Sequence, residues 1–145
     1  MNINRISILV YIILVIALIL LIRQGSIIAN GIIAQSIQVL SVLLMVWARI
    51  TFGRRSFHAG AEPTEGGLIT TGPYRFIRHP IYASILYFFW AAIITNWTLI
   101  NAGIGVVVTF CLVIRMIAEE KLVALKYPDY ESYSSCTKRI IPYVI

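Results

Sequence analysis

Four runs of apolar residues follow one another along the chain, at 6–22, 32–50, 80–96 and 99–118. A helix that crosses the hydrocarbon core of a bilayer needs about 20 mostly apolar residues. Each run approaches or reaches this length, and none carries a charge at its centre. The pattern therefore predicts an all-α fold, an integral-membrane bundle of about four transmembrane helices.

The composition supports the same interpretation. Hydrophobic residues make up 59% of the 145 residues and charged residues only 12%, with a mean hydropathy of +0.86. Soluble domains carry roughly 25% charged and 45–50% apolar residues. This excludes most soluble enzyme folds, and it excludes disorder because so much apolar surface would not stay in water. We expect a single membrane domain over residues 1–145.

The charge distribution predicts the orientation of the bundle. The formal net charge is +6. Every Lys and Arg except Arg23 lies in one of three regions: the N-terminus, loop 51–79 with the end of the second run, or tail 119–145 with the end of the fourth run. Cytoplasmic segments of membrane proteins carry this excess of basic residues. We therefore predict a multi-pass protein with both termini, the loop and the tail cytoplasmic, and no nucleic-acid partner. The middle of the loop, 54–67, has no clear periodicity and is left without a predicted structure.

Polar side chains occur inside the second run, at Gln35, Ser36, Gln38 and Ser41. An unpaired amide is costly in hydrocarbon, so these residues are expected to face other helices. They are also compatible with a homodimer, and the oligomeric state stays open. The two cysteines match neither a disulfide nor a zinc spacing, and no metal site is predicted.

Two polar segments are not explained by membrane anchoring alone. The first leads into the third run, where Gly72-Pro73 predicts a turn and Pro80 a kink or helix start; Arg75 and His79, four apart, would share a helical face. The second ends the fourth run. A turn at 96–98 makes the last two runs a hairpin, which brings both segments to one cytoplasm-facing site. The side chains that could line it are Arg75, Arg78, His79, Tyr82, Arg115, Glu119 and Glu120.

This mixture of side chains suits a small zwitterion, with arginines for a carboxylate and a glutamate for an ammonium. Each residue also has a plain structural explanation. The arginines alone are ordinary positive-inside determinants, and Arg115 with Glu119 alone is an i,i+4 pair. Tyr74, Tyr82 and Trp97 fit an interfacial aromatic belt.

The motif Arg78-His79-Pro80-Ile81-Tyr82, followed by a hydrophobic stretch and Glu119-Glu120, resembles the R-H-P-x-Y…E-E pattern of integral-membrane methyltransferases that use S-adenosylmethionine. These include the isoprenylcysteine carboxyl methyltransferases and the phospholipid methyltransferases. The resemblance covers roughly residues 53–142. It implies that S-adenosyl-L-methionine binds at the cytoplasmic ends of the last two helices, under the C-terminal segment. The implied cofactor-binding residues are Tyr74, Arg78, His79, Tyr82 and Glu120, and the implied catalytic residues are Arg115 and Glu119.

The expected activity is methyl transfer to a lipid-like or prenylated small molecule that enters from the membrane lipids. A carboxylate acceptor is ionised near neutrality and needs no base; Arg115 would hold it, and Glu119 would hold Arg115. An amine or thiol acceptor would need Glu119 or His79 as a base. The alternatives are an NADPH-dependent membrane reductase of the steroid-reductase type, or a non-catalytic small membrane protein such as a transporter or scaffold.

Overall fold

The computed structural model describes residues 3–53 and 67–142. Each of the four apolar runs forms a helix: α1 is Ile3–Arg23, α2 is Ile32–Phe52, α3 is Pro80–Thr95 and α4 is Leu99–Lys126. A short 3₁₀ helix covers Gly72–Arg75, and α5 covers Tyr130–Cys136. Over these two ranges the chain forms no strand, apart from one isolated parallel bridge between Ile77 and Lys138. The all-α prediction is confirmed, and most of the unassigned loop lies outside the described residues.

Two of the helices, α2 and α4, are long and apolar enough to cross a membrane. The apolar parts of α1 and α3 are shorter, Ser7–Arg23 and Pro80–Thr95. Length and composition thus give two candidate membrane spans, with two further apolar helices packed beside them.

The sequence explains where α3 and α4 begin. Pro80 is the first residue of α3, where its missing N–H costs no hydrogen bond. The side chain of Thr98 accepts the backbone N–H of Asn101 at 3.0 Å and caps α4. One prediction was wrong: the 3₁₀ helix ends at Arg75, and His79 lies just before α3, so these two residues do not share a helical face. Arg75 is exposed.

The helices pack in the order α1, α4, α3, α2, so the central pair is the predicted hairpin. Apolar side chains of α1, α3 and α4 form the core of the bundle, including Leu21, Phe89, Ile93, Leu112 and Met116. On α1 the buried positions recur every three or four residues, as expected for a helix with one packed face. Many apolar residues on the outer faces of α1 and α2 are exposed.

The second helix buries polar residues and exposes apolar ones, the reverse of a helix in a soluble protein. The amide of Gln38 accepts the N–H of Ala29 at 2.9 Å and donates to the carbonyls of Ile27 at 2.9 Å and Phe88 at 3.4 Å. The hydroxyl of Ser41 donates to the carbonyl of Ile37. For these two residues the prediction of inward-facing polar side chains is confirmed, and the pattern is typical of a helix surrounded by lipid.

The same prediction was wrong for Gln35 and Ser36, which are exposed. Both lie in the first turns of α2, where the helix end meets polar surroundings. Ser36 donates to the carbonyl of Ile32 four residues back, so its hydroxyl needs no partner on another helix.

Candidate functional site

Glu120 lies at the polar end of α4 and gathers three basic side chains, which we call the Glu120 cluster. Its carboxylate accepts Arg78 Nε at 3.1 Å and Arg139 Nη2 at 2.8 Å, and it lies 3.2 Å from His79 Nε2. Arg78, His79 and Glu120 are largely buried, whereas the Arg139 side chain is 46% exposed. The cluster therefore combines a buried carboxylate with one cation that solvent can reach.

Residues 134–140, which we call the C-terminal strap, cover this cluster. Arg78 Nη1 donates to the carbonyls of Ser134 at 2.5 Å and Thr137 at 2.7 Å. The backbone N–H of Arg78 donates to the carbonyl of Lys138 at 2.7 Å, and that of His79 to the carbonyl of Arg139 at 3.0 Å. The residues that lead into α3 are thus held to the strap by both backbone and side chain.

Tyr74 reaches the same region through α5, the helix that leads into the strap. Its carbonyl accepts the hydroxyl of Tyr133 at 2.6 Å. Burial raises the pKa of the Tyr133 phenol to about 12, and burial also raises the pKa of Tyr74, so both phenols stay protonated near neutrality. The 3₁₀ helix that carries Tyr74 packs closely on α2: Gly72 has φ +57°, and a Cβ there would lie 2.5 Å from Thr51 Oγ1.

The neighbouring glutamate has different partners, which form the Glu119 cluster. Glu119 Oε1 accepts Arg115 Nε at 2.9 Å and the hydroxyl of Tyr82 at 2.5 Å. The Arg115 guanidinium carbon lies 4.5 Å from the centre of the Tyr11 ring and 5.7 Å from that of Tyr82. Arg115 Nη1 also lies 3.4 Å from the carbonyl oxygen of Ser7. The Arg115 side chain is only 4% exposed, so the bundle holds this guanidinium in one place.

The two clusters are adjacent. Successive residues of an α-helix point about 100° apart, so Glu119 turns toward α1 and α3 while Glu120 turns toward the strap. The rings of His79 and Tyr82 stack at 5.5 Å between them. The solvent-accessible Arg139 on Glu120 thus lies near the buried Arg115 guanidinium on Glu119.

The structure brings six of the sequence-derived candidates into these two clusters: Arg78, His79, Tyr82, Arg115, Glu119 and Glu120. Tyr74 lies beside them through Tyr133, and Arg75 does not take part. Their assignment to cofactor binding or catalysis stays a prediction. No group of three or more His, Cys, Asp or Glu that could hold a metal ion occurs in the part of the chain that the structure describes.

Sequence reasoning missed three contributors. Arg139 was counted only among the basic residues of the tail, although it forms two hydrogen bonds with Glu120 through Nε. Ser7 and Tyr11 belong to the first apolar run; Ser7 lies on the buried face of α1 and Tyr11 is 38% exposed, so the apolar pattern gave no signal for the contact of Tyr11 with Arg115.

Comparison with known proteins gives one family. The family model described as phospholipid methyltransferase matches residues 26–130, which include the R-H-P-x-Y motif and both glutamates. Comparison with the curated proteins and with the solved structures gives no match. Because the match covers more than half of the chain, the resemblance seen in the sequence is confirmed: the chain belongs to the phospholipid methyltransferase family, whose members are membrane-associated methyltransferases.

Proposed function

We propose that this chain transfers the methyl group of S-adenosylmethionine to a carboxylate on a lipid-tailed or otherwise apolar acceptor, at the cytoplasmic membrane face. The observation that carries the proposal is the pair of neighbouring clusters on α4. One presents a carboxylate with an exchangeable cation, and the other a buried guanidinium beside it. Such a pair is complementary in charge to a zwitterionic donor next to an anionic acceptor.

The Glu120 cluster fits the amino-acid end of the cofactor. Glu120 would hold its ammonium, in the position that the Arg139 guanidinium takes in this structure. Arg78 and Arg139 would hold its carboxylate, since guanidinium groups bind carboxylates through paired hydrogen bonds. Tyr130, whose pKa burial and the nearby Glu120 raise to about 12, adds a neutral aromatic side chain at the same end.

When bound, S-adenosylmethionine would supply an activated methyl group: a carboxylate oxygen would bond to the methyl carbon as the carbon–sulfur bond breaks, and the electron pair of that bond would stay on sulfur, which leaves as the neutral thioether S-adenosylhomocysteine. No proton moves in this step, so the chain supplies position and electrostatics. Arg115 orients the acceptor carboxylate. Glu119 holds Arg115 through Nε.

The partners of Glu119 favour a carboxylate acceptor over an amine. An amine must lose a proton, and a base for that step needs an accessible carboxylate or imidazole. Glu119 Oε1 already accepts both Arg115 and Tyr82, and His79 lies against Glu120. We therefore assign Glu119 and His79 to positioning other side chains.

The proposed topology has four membrane-spanning helices with both termini in the cytoplasm. It is supported by the excess of basic residues in the loop and tail, and by the lipid-like exterior of α1 and α2. In this orientation both clusters lie at the cytoplasmic boundary, where the water-soluble donor meets an acceptor arriving from the bilayer.

Cofactor binding is the first test. The detergent-purified chain is titrated calorimetrically with S-adenosylhomocysteine, and with NADPH in parallel. We expect micromolar binding of the former alone, lost in His79→Ala and kept in Arg75→Ala, an exposed residue of the same loop. Folded protein that binds only NADPH would support the reductase instead, and folded protein that binds neither would contradict an enzymatic role.

The chemistry of the product is the second test. Membranes containing the chain are incubated with S-adenosylmethionine labelled in its methyl group, and the labelled lipids are treated with mild alkali. A methyl ester releases labelled methanol, whereas a methylated amine keeps its label. Alkali-stable label would overturn the carboxylate assignment while leaving the methyl transfer in place.

A further inference from the structure

One serine of α1 has a buried hydroxyl that is not used within the bundle. Ser7 is 1% exposed, and its Oγ has no hydrogen-bond partner among the described residues. Other helical hydroxyls donate to a carbonyl four residues back, as Ser41 does to Ile37 and Thr109 to Gly105, each at 2.7 Å. An unsatisfied buried polar group costs free energy, so a buried hydroxyl without a partner calls for an explanation.

The surroundings of Ser7 point to a ligand. Its carbonyl oxygen lies 3.4 Å from Arg115 Nη1, which puts the residue beside the guanidinium of the Glu119 cluster. Tyr11, one turn further along α1, places its ring 4.5 Å from the same guanidinium carbon. An aromatic ring at that distance attracts a guanidinium and restricts its plane. The backbone carbonyl of Ser7 and the side chain of Tyr11 therefore meet at Arg115, with the unpartnered Ser7 hydroxyl on the same residue.

Both residues precede the segment that the family model matches, 26–130. Arg115, Glu119 and Tyr82 lie within that segment. What α1 adds is thus separate from the part of the site that the matched segment carries. This is where a selectivity particular to this chain would reside.

We propose that Ser7 and Tyr11 complete the acceptor end of the site and select an anionic head group, a carboxylate. The Ser7 hydroxyl donates to one acceptor oxygen, while Arg115 binds the other. Tyr11 is a positioning residue, because it acts by holding the Arg115 guanidinium. This inference rests on the proposed function, since it needs an acceptor that Arg115 holds.

The test measures binding without turnover. The full chain in detergent is saturated with S-adenosylhomocysteine and titrated with N-acetyl-S-farnesylcysteine, a carboxylate probe with an apolar tail. We expect Ser7→Ala to weaken probe binding about ten- to hundredfold, the usual effect of losing one hydrogen bond to a charged group. Tyr11→Leu should weaken it about fivefold, and Tyr11→Phe, which keeps the ring, should restore it. Ser41→Ala, another buried serine, is the matched control.

The outcomes separate this inference from the function beneath it. If the wild-type chain bound no S-adenosylhomocysteine, both the proposed function and the role of α1 would be overturned. Cofactor and probe binding that are the same in wild type, Ser7→Ala and Tyr11→Leu would remove only the role of α1. A parallel loss of affinity for S-adenosylhomocysteine would also overturn that role, because it would indicate structural damage. The role of α1 would also be overturned if Ser7→Ala and Tyr11→Leu weakened the binding of phosphatidylethanolamine, an amine probe, and left the binding of the farnesylated carboxylate unchanged.

Discussion

Glu119 and Glu120 are consecutive residues of one helix, yet they have opposite surroundings. Glu119 binds inside the bundle, to a guanidinium that is 4% exposed. Glu120 is itself only 13% exposed, but its outermost partner, Arg139, is 46% exposed. The first cluster joins α1, α3 and α4, whereas the second joins the start of α3 to the C-terminal strap.

Under the proposed function, this difference would let one turn of helix bind both donor and acceptor. A buried, fully held guanidinium has one orientation, which suits a group that must align a reacting atom. A largely buried carboxylate whose outer cation is half exposed can exchange that cation for another at low cost. The Glu119 cluster is therefore suited to alignment, and the Glu120 cluster to ligand entry.

The sharpest way to break this comparison is Glu119→Gln. The amide cannot balance the buried charge of Arg115, so alignment of the acceptor is lost. We expect turnover to fall by about 10²–10³-fold, the range seen when one oriented electrostatic contact is removed from an active site. Affinity for S-adenosylhomocysteine should stay within about threefold. Unchanged turnover would remove the assigned role of Glu119, and the exposed Glu131→Gln serves as the control.

Glu120→Gln should have the converse effect. It leaves Arg78 and Arg139 facing a neutral amide, and the ammonium of the ligand loses its counter-ion. We expect affinity for S-adenosylhomocysteine to fall about thirty- to hundredfold, or about 2–3 kcal/mol, somewhat less than for a fully buried pair. Turnover at saturating donor should change much less. If Glu119→Gln and Glu120→Gln gave the same profile, the division into two ends would be wrong.

Arg139→Ala tests the exchangeable cation by itself. A half-exposed ion pair contributes little to stability, at most about 1 kcal/mol. We expect the backbone amides of Arg78 and His79, which donate to the strap, to exchange with deuterium about threefold faster. Lys138→Ala, which alters an exposed side chain of the same segment, should leave these amides unchanged. Equal acceleration in both variants would mean that the strap is held by its backbone alone.

The smallest effect concerns the hydroxyl of Tyr133. Burial raises its pKa from 10.0 to about 12, so its contribution to stability is complete below pH 10 and is lost as the pH rises toward 12. We expect the midpoint of thermal unfolding in detergent to fall across that interval, and to fall less in Tyr133→Phe. At neutral pH the same variant should lose about 0.5 kcal/mol, the low end of the range for one hydrogen bond. An identical decline in both proteins would assign the alkaline effect to other residues.

Much of this arrangement could be predicted from local patterns. Pro80 and Thr98 mark the starts of α3 and α4 by their own chemistry, and the short turn between the two helices makes them antiparallel neighbours. That brings Arg78 and His79 near Glu119 and Glu120. The pairing of Arg115 with Glu119 follows from their i,i+4 spacing, but the pairing of Arg78 and His79 with Glu120 could not be predicted, because it depends on the rotation of α4 within the bundle.

The remaining contacts depend on pairings between distant parts of the chain. Tyr11 meets Arg115 only because α1 packs on α4, and an amphipathic pattern shows which face is buried without naming its neighbour. Arg139 reaches Glu120 because the strap lies against Arg78 and His79 through backbone hydrogen bonds. Backbone pairing leaves no mark on side-chain composition, so this residue looked like an ordinary basic residue of a tail.

Gln38 gives the bundle its rotational register. Apolar helix surfaces in lipid slide and turn past one another with little change in free energy, because lipid tails resemble the side chains they replace. A single amide that bonds to the carbonyls of Ile27 and Phe88 and to the N–H of Ala29 is satisfied in only one rotation of α2. Thr51, on the same helix, packs against Gly72 and so carries that rotation to the segment before α3. The alignment of the two polar clusters thus depends on the Gln38 amide, which lies on another helix and whose hydrogen-bond partners belong to neither cluster.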